Sequence, residues 1–469
     1  MKRKVFKSLV FSMLIILCLA IPAAAFDGGG FYESEVEELE DEALDITGEL
    51  EPEFRIFSDD GEIDENLTGN LKFSYPGKTH EFKVLIDFQP GAVEEIEFNE
   101  LYYRYFGKKY NFLIGKHVTI WGKGDKVHVV DNLNAEDMSD FINPEYKDRQ
   151  IGEEMIKIDR YFRGGNANLE FVYTPDFTPN RLAEDPESPL GNWVINPFTA
   201  QLSDLTLRKI SAATNQTEAE VISQVKDAAA DEDNQFGLRF TDSRGGTDYG
   251  LSYYNGYLRT PGYDKAALNA KYKEFKAGNS TFSSVLEAAD LHYDSVDVFG
   301  FELARVIADI NSRFELAYYR TDDTAGDDPT VRNNKIAWVI GGDRDLPISN
   351  LNLNLQFTGE KILDDDQIEN NILQGSNVDA EYDEDGDYTT NRAILKLEDS
   401  YQNEKIIPEL TWIYNLNDND YILEAAVDYE LEQDLILTFA HKIFRGNQDT
   451  TFGQFEDNDF SSFSLKYSF

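Results

Sequence analysis

Catalysis needs side chains grouped in space, and this sequence groups few of them. The five histidines, His80, His117, His128, His292 and His441, stand singly, and neither G-x-S-x-G nor H-E-x-x-H occurs. GKGDK at 122–126 lacks the Ser or Thr that must follow the lysine of a phosphate loop. DEDGD at 383–387 resembles a calcium loop, yet its glycine comes too early and Ile394 stands where a bidentate Glu belongs. Unspecific calcium binding by the acidic runs 364–366 and 383–387 is the most these carboxylates offer; no other cofactor, no metal centre and no catalytic residue is expected. A different pattern is more productive. Glu81, Lys83, Asp87, Arg104, Lys157, Asp159 and Glu170 each alternate with apolar residues, so acids and bases would share one face of neighbouring strands. Lining a water-filled space, they would make a hydrated wall with a transverse field that suits small polar solutes. The competing reading is that they merely solvate and brace an inner surface.

Strands must position such a wall. In HEFKVLIDF, Phe82, Val84, Ile86 and Phe88 oppose Glu81, Lys83 and Asp87; LNLNLQFTGE and YILEAAVDYEL alternate in the same way. Similar segments recur at about 50–58, 67–75, 80–88, 94–106, 110–121, 153–162, 167–175, 235–242, 247–257, 296–308, 312–321, 333–342, 350–360, 389–398, 404–415, 420–431, 434–444 and 459–469. A soluble sandwich would alternate too, but it has no reason to sort its connections. Here turn-like links follow even strands (PGK, GKK, RGGN, SRGGT, EQD), whereas the long ones, 122–152, 176–234, 258–295, 361–388 and 445–458, follow odd strands. The predicted fold is therefore all-β: a transmembrane antiparallel barrel of about 18 strands (16–18), with short periplasmic turns, long extracellular loops and helical insertions in those loops.

The chain ends agree. Residues 1–25 carry a basic head, an apolar run and a small-residue exit at Ala23–Ala25, the pattern of a cleaved secretory signal. Loss of Lys2, Arg3, Lys4 and Lys7 would take the formal charge from −45 to −49, and Cys18, the single cysteine, would go as well. So acidic a chain repels nucleic acid and draws cations. Residues 26–47 form a short acidic segment, far smaller than a receptor plug, and 48–469 the barrel. The chain closes on FSSFSLKYSF. Phe463, Leu465, Tyr467 and Phe469 would face lipid, Tyr467 and Phe469 in the periplasmic aromatic girdle. This ending resembles the signal read by the barrel-assembly machinery of Gram-negative outer membranes, which makes that machinery and outer-membrane lipid the expected partners.

Helical spacing marks 202–229, 265–276 and 281–290 within the long loops. The stretch 110–182 is more individual. It carries Gly115, Lys116, Trp121 and Gly122, then Asn143 and Pro144, then Pro179, Asn180 and Arg181. With these it resembles a porin-like family of Gram-negative outer-membrane barrels catalogued as a domain of unknown function, whose members share a G-[RK]-x-x-x-x-W-G strand, an Asn-Pro loop and a strand closing near P-x-R. The resemblance implies that kind of barrel. His117, Thr119 and Trp121 would face the lumen. The loop beyond carries Val127, Val129, Val130 and Leu133, which should not be left in water. It is predicted to fold inward and narrow the channel, with Trp121 bracing its base and Lys123, Asp125, Lys126 and Arg149 in the aqueous path. The reading is a passive, cation-preferring channel for small hydrophilic solutes. Its rivals are a barrel with a filled lumen serving a surface role, and a barrel lipase or protease, for which no Ser, His and acid grouping exists.

Overall fold

Alternation in the sequence becomes pairing in space. A computed structural model of the protein describes residues 44–89, 96–183, 191–193, 210–217, 220–221, 224, 232–373, 377–381, 387–448 and 450–469. The expected signal, nearly all of the 26–47 segment, most of 202–229 and residues 383–386 lie outside them. Eighteen strands follow in order: β1 (Asp45–Phe57), β2 (Ile63–Pro76), β3 (His80–Phe88), β4 (Ile96–Phe106), β5 (Tyr110–His117), β6 (Glu153–Phe162), β7 (Ala167–Asp176), β8 (Asp233–Arg244), β9 (Thr247–Tyr257), β10 (Ser295–Ile307), β11 (Ile310–Thr321), β12 (Lys335–Asp345), β13 (Asn352–Ile362), β14 (Thr389–Glu398), β15 (Ile406–Asn415), β16 (Tyr421–Glu432), β17 (Leu435–Arg445) and β18 (Phe460–Ser468). Each pairs antiparallel with its sequence neighbours, and β18 returns to β1, with Phe463 opposite Phe54 and Tyr467 opposite Leu50. Closure leaves no sheet edge, so every strand satisfies its backbone groups without water.

The register sends one parity outward. Phe54, Ile114, Ile156, Phe171, Leu251, Phe299, Ile340, Phe357, Phe439 and Phe463 are all exposed on the outer face. Such a belt is stable in hydrocarbon and not in water, and it makes the barrel a transmembrane one. No helix among the described residues is long and apolar enough to cross a membrane. The last residue belongs to the closure: Phe469 exchanges backbone hydrogen bonds with Gly48 at 2.9 and 3.0 Å. Its ring lies over Gly48, where a Cβ would come within 2.6 Å of it.

The longest connections, 118–152, 177–232, 258–294, 363–388 and 446–459, all follow odd strands and gather at one rim, hereafter the loop rim; the opposite end is the short-turn rim. Helices α1 (Lys265–Lys276) and α2 (Phe282–Ala289) stand where periodicity placed them; α3 (Asp365–Leu373) and a small sheet were not anticipated. In that sheet Ala135–Met138 pairs antiparallel with Gln150–Ile151 and parallel with Arg181–Leu182. Two further boundaries move. The barrel begins at Asp45 rather than residue 48, and β5 stops at His117 instead of running to residue 121. The reason for the second is local: Gly115 takes a φ of 131° within the strand, Lys116 and His117 make its last pairings, with Glu154 and Glu153, and beyond His117 the chain leaves the wall and turns inward.

Candidate functional site

Residues 118–152 form the centre of the molecule. Leaving β5, this segment places Trp121 against the wall with its side chain fully buried. The indole N–H donates to Glu170 of β7, and the ring rests on Gly237 of β8, where a Cβ would stand 2.6 Å from it. The chain then reaches Glu315 on β11, six strands away around the wall. That carboxylate accepts the backbone N–H groups of Lys123 and Gly124 at 2.6 Å each and of Val129 at 2.8 Å. His128 Nδ1 completes the set at 3.1 Å. Gly122, at φ 114°, packs so close to Glu315 and His128 that a side chain there would collide with both. Tyr319 of β11 donates to the Val129 carbonyl at 2.7 Å.

Further anchors ring the lumen. Arg313 of β11 pairs with Asp125 at 2.8 Å, and Asn354 of β13 donates to the same carboxylate at 2.8 Å. Arg259, just past β9, donates to the carbonyls of Asn132 and Leu133 at 3.2 and 2.8 Å. Arg55 of β1 grips Asp140 bidentately at 2.6 and 2.7 Å, and Lys442 of β17 reaches Asn143 at 3.1 Å. The segment therefore spans the lumen and is fastened on several sides. Its apolar residues Val129, Val130 and Leu133 are buried with Val172, Tyr254, Val298 and Val339 of the wall, which covers the cluster that water would have rejected. On another side Phe141 joins Phe57, Trp193, Phe444, Phe452, Phe455 and Phe460.

The expected lining residues divide accordingly. Lys83, Arg104, Lys157 and Asp159 do face the lumen in its short-turn half. They are paired: Lys83 with Glu100, Arg104 with Glu81 at 3.0 Å, and Lys157 with Glu170 at 2.7 Å, while Asp159 takes Asn168 Nδ2 at 2.9 Å. His117 and Trp121 face inward but are buried, so neither lines open space; His117 sits between Arg104 Nη2 at 3.1 Å and Thr119 at 2.8 Å. The inward segment itself covers them. Lys123 and Asp125 lie at its Glu315 end, Lys126 pairs with Glu145 at 2.5 Å, and Arg149 with Glu136 at 3.3 Å. The motif residues turn out to be anchors. Lys116 and Arg181 meet on Glu97 at 2.9 and 3.1 Å, Arg181 also holds Asp137 at 2.5 Å, and the Pro144 carbonyl lies 3.5 Å from Arg149.

A cavity of about 470 Å³ lies between this segment and the wall of β11–β15, and none of the expected lining residues bounds it. Its charged groups are Arg259, Arg332, Lys335 and Arg392 against Asp131, Glu136, Glu360 and Asp379, with His128 at the edge. Burial pushes the Asp131 carboxyl up to about 7 and that of Asp379 up to about 6. Burial also opposes charge on His128, but the Glu315 hydrogen bond and charge outweigh it and hold the imidazole above its usual value. Among the described residues no cluster of three or more metal-ligating side chains occurs. Glu315 and Arg392 were legible only as inward-facing residues: alternation gives their parity, and nothing local shows what they meet.

A family model described as "Protein of unknown function (DUF1302)" matches residues 91–469. The chain belongs to that family. A search of curated proteins found no match to this DUF1302 chain. Solved structures similar to it include OccK11 (OpdR) of Pseudomonas aeruginosa, at TM-score 0.47 and 8% identity over 90% of this chain and 95% of that one. OccD3 (OpdP) of the same species matches at 0.46 and 10%, covering 91% of each chain. Wzi of Escherichia coli, an outer-membrane protein involved in group 1 capsule assembly and described as a carbohydrate-binding β-barrel, matches at 0.48 and 10% over 90% and 84%. With TM-scores below 0.5 these likenesses are loose, and the DUF1302 barrel is read from its own strand pairing.

Proposed function

We propose that this protein is a channel of the Gram-negative outer membrane, through which small hydrophilic solutes diffuse past the inward segment 118–152. The supporting observation is the cavity left between that segment and the β11–β15 wall, lined by polar and charged groups of both signs. In this reading the short-turn rim is periplasmic, the loop rim is outside, and Phe463, Leu465, Tyr467 and Phe469 present the assembly signal. The net charge of −45 for the whole sequence favours cations among small current-carrying ions. That preference weakens with salt, because screening shortens to about 3 Å at 1 M.

The test is replacement of residues 124–148 by a short Gly-Ser turn, with single-channel recording in planar bilayers. Stepwise conductance that rises in the variant, and a salt-gradient reversal potential of cationic sign, support the proposal. The packed clusters around Val130 and Phe141 favour a second reading, a filled barrel with a surface role. A folded wild-type barrel that conducts nothing, while the shortened variant also stays silent, would establish that alternative.

A further inference from the structure

The lumenal arginines on the strands are Arg55, Arg104, Arg239, Arg313 and Arg392, by the parity of the register. Four are neutralised by carboxylates: Arg55 by Asp140 and Glu53, Arg104 by Glu81, Arg239 by Glu302, and Arg313 by Asp125 and Asp343. Arg392, on β14, has no carboxylate partner among the described residues. Its Nε donates to Asn415 Oδ1 at 2.7 Å, and its guanidinium carbon lies 5.2 Å from the centre of the Phe452 ring. Those two contacts fix the plane of the group and leave both terminal nitrogens unspent. Arg392 and Asn415 both line the cavity.

The acids whose fields reach Arg392 are Asp420, Glu360 and Asp418. Glu360 is engaged by Lys335 at 2.8 Å, and Asp420 accepts the Phe452 N–H at 2.6 Å. They stabilise the cation without occupying its fork. A guanidinium that lines a cavity with both terminal nitrogens unspent matches a carboxylate bidentately. Desolvating an unpaired charge is costly, and a ligand anion would offset that cost. We infer that the cavity binds a small organic carboxylate, with Arg392 as its recognition residue. Its neighbours Thr390 and Asn415 add hydroxyl and amide groups that suit a hydroxylated ligand. How the ligand arrives rests on the channel reading; binding does not. The acidic exterior is no bar, since screening confines its field to about 8 Å at physiological salt.

The experiment is titration of the purified full-length barrel in detergent micelles at low salt, by calorimetry, with D-glucuronate and, as its neutral counterpart, D-glucose. Arg392→Gln, Arg392→Lys and Lys72→Gln are compared, the last removing a lumenal lysine that lines no part of the cavity. Heat-modifiable migration establishes that each variant is folded. Expected are binding of glucuronate at least about tenfold tighter than glucose, a similar or larger loss in Arg392→Gln, partial retention in Arg392→Lys, and no change in Lys72→Gln. Equal binding of glucuronate by wild type and Arg392→Gln, or its absence in wild type, overturns the inference. Micelle binding does not depend on conduction. Failure here with stepwise conductance intact removes the site and leaves the channel; binding without conductance removes the channel and leaves the site.

Discussion

Glu315→Gln tests what holds the inward segment. The carboxylate is fully buried with His128 beside it at 9% side-chain exposure, and it accepts from three backbone N–H groups and that imidazole. Glutamine keeps one acceptor oxygen and turns the other position into a donor. At least one buried N–H must then face an N–H₂ group, which costs about 1–3 kcal/mol. The remaining bonds lose their charge assistance. Breaking a buried ion pair by removing one partner costs about 3–5 kcal/mol in all, and we take that as the loss of docking energy. At about 1.4 kcal/mol per tenfold, the undocked population rises by roughly 100- to 4,000-fold. Amide hydrogen exchange in micelles reads this directly: protection of Lys123, Gly124 and Val129 should fall by that factor while β11 stays protected. The pair also carries a pH signature. Because His128 is held above its usual value, its contribution is complete below about pH 6.5, the ordinary imidazole range, and fades as pH rises through the raised value. The variant should lose that dependence. Protection in a folded Glu315→Gln barrel within about threefold of wild type would correspond to less than about 1 kcal/mol and would refute the argument.

Deleting Phe469 removes both backbone bonds to Gly48 and the ring that covers it, so the truncated protein should be exported yet fail to accumulate as a heat-modifiable barrel in the outer membrane; normal levels would remove the closing residue from assembly. His292 clasps the base of the α1–α2 loop, with Nε2 3.1 Å from Asp294, Nδ1 2.7 Å from the Asp290 carbonyl, and backbone bonds to Gly262. The Asp294 hydrogen bond raises its pKa to about 9. Its stabilisation is therefore full below about pH 6.5 and lost as pH climbs through 9. His292→Gln should loosen the Gly262 amide at pH 6 by about 1 kcal/mol, allowing for solvent screening, and do nothing at pH 10; equal effects at both would refute the charged clasp.

Strand identity, order, parity and closure were legible because side-chain period and loop length are local properties. HEFKVLIDF shows its two faces without reference to any other strand, and the row Phe463, Leu465, Tyr467 declares an apolar outside. The inward course of 118–152 was legible for a similar reason: Val129, Val130 and Leu133 cannot be left in water, and the nearest cover is the lumen. Sequence also placed Lys83, Arg104, Lys157 and Asp159 on the inner face. It did not show that each has a partner there, since partnership depends on which residues stand opposite in a closed register. His117 and Trp121 carried the right parity and the wrong surroundings, because burial is conferred by the segment that folds over them. Tertiary structure alone decided that Glu315 receives backbone N–H groups 186 to 192 residues away, that Gly122 is required by that contact, and that Arg392, beside a cavity, has no carboxylate partner among the described residues. Those facts arise from bringing distant strands to one enclosed space, where desolvation makes each unmatched charge and each orphan N–H count, and no local spacing encodes that enclosure.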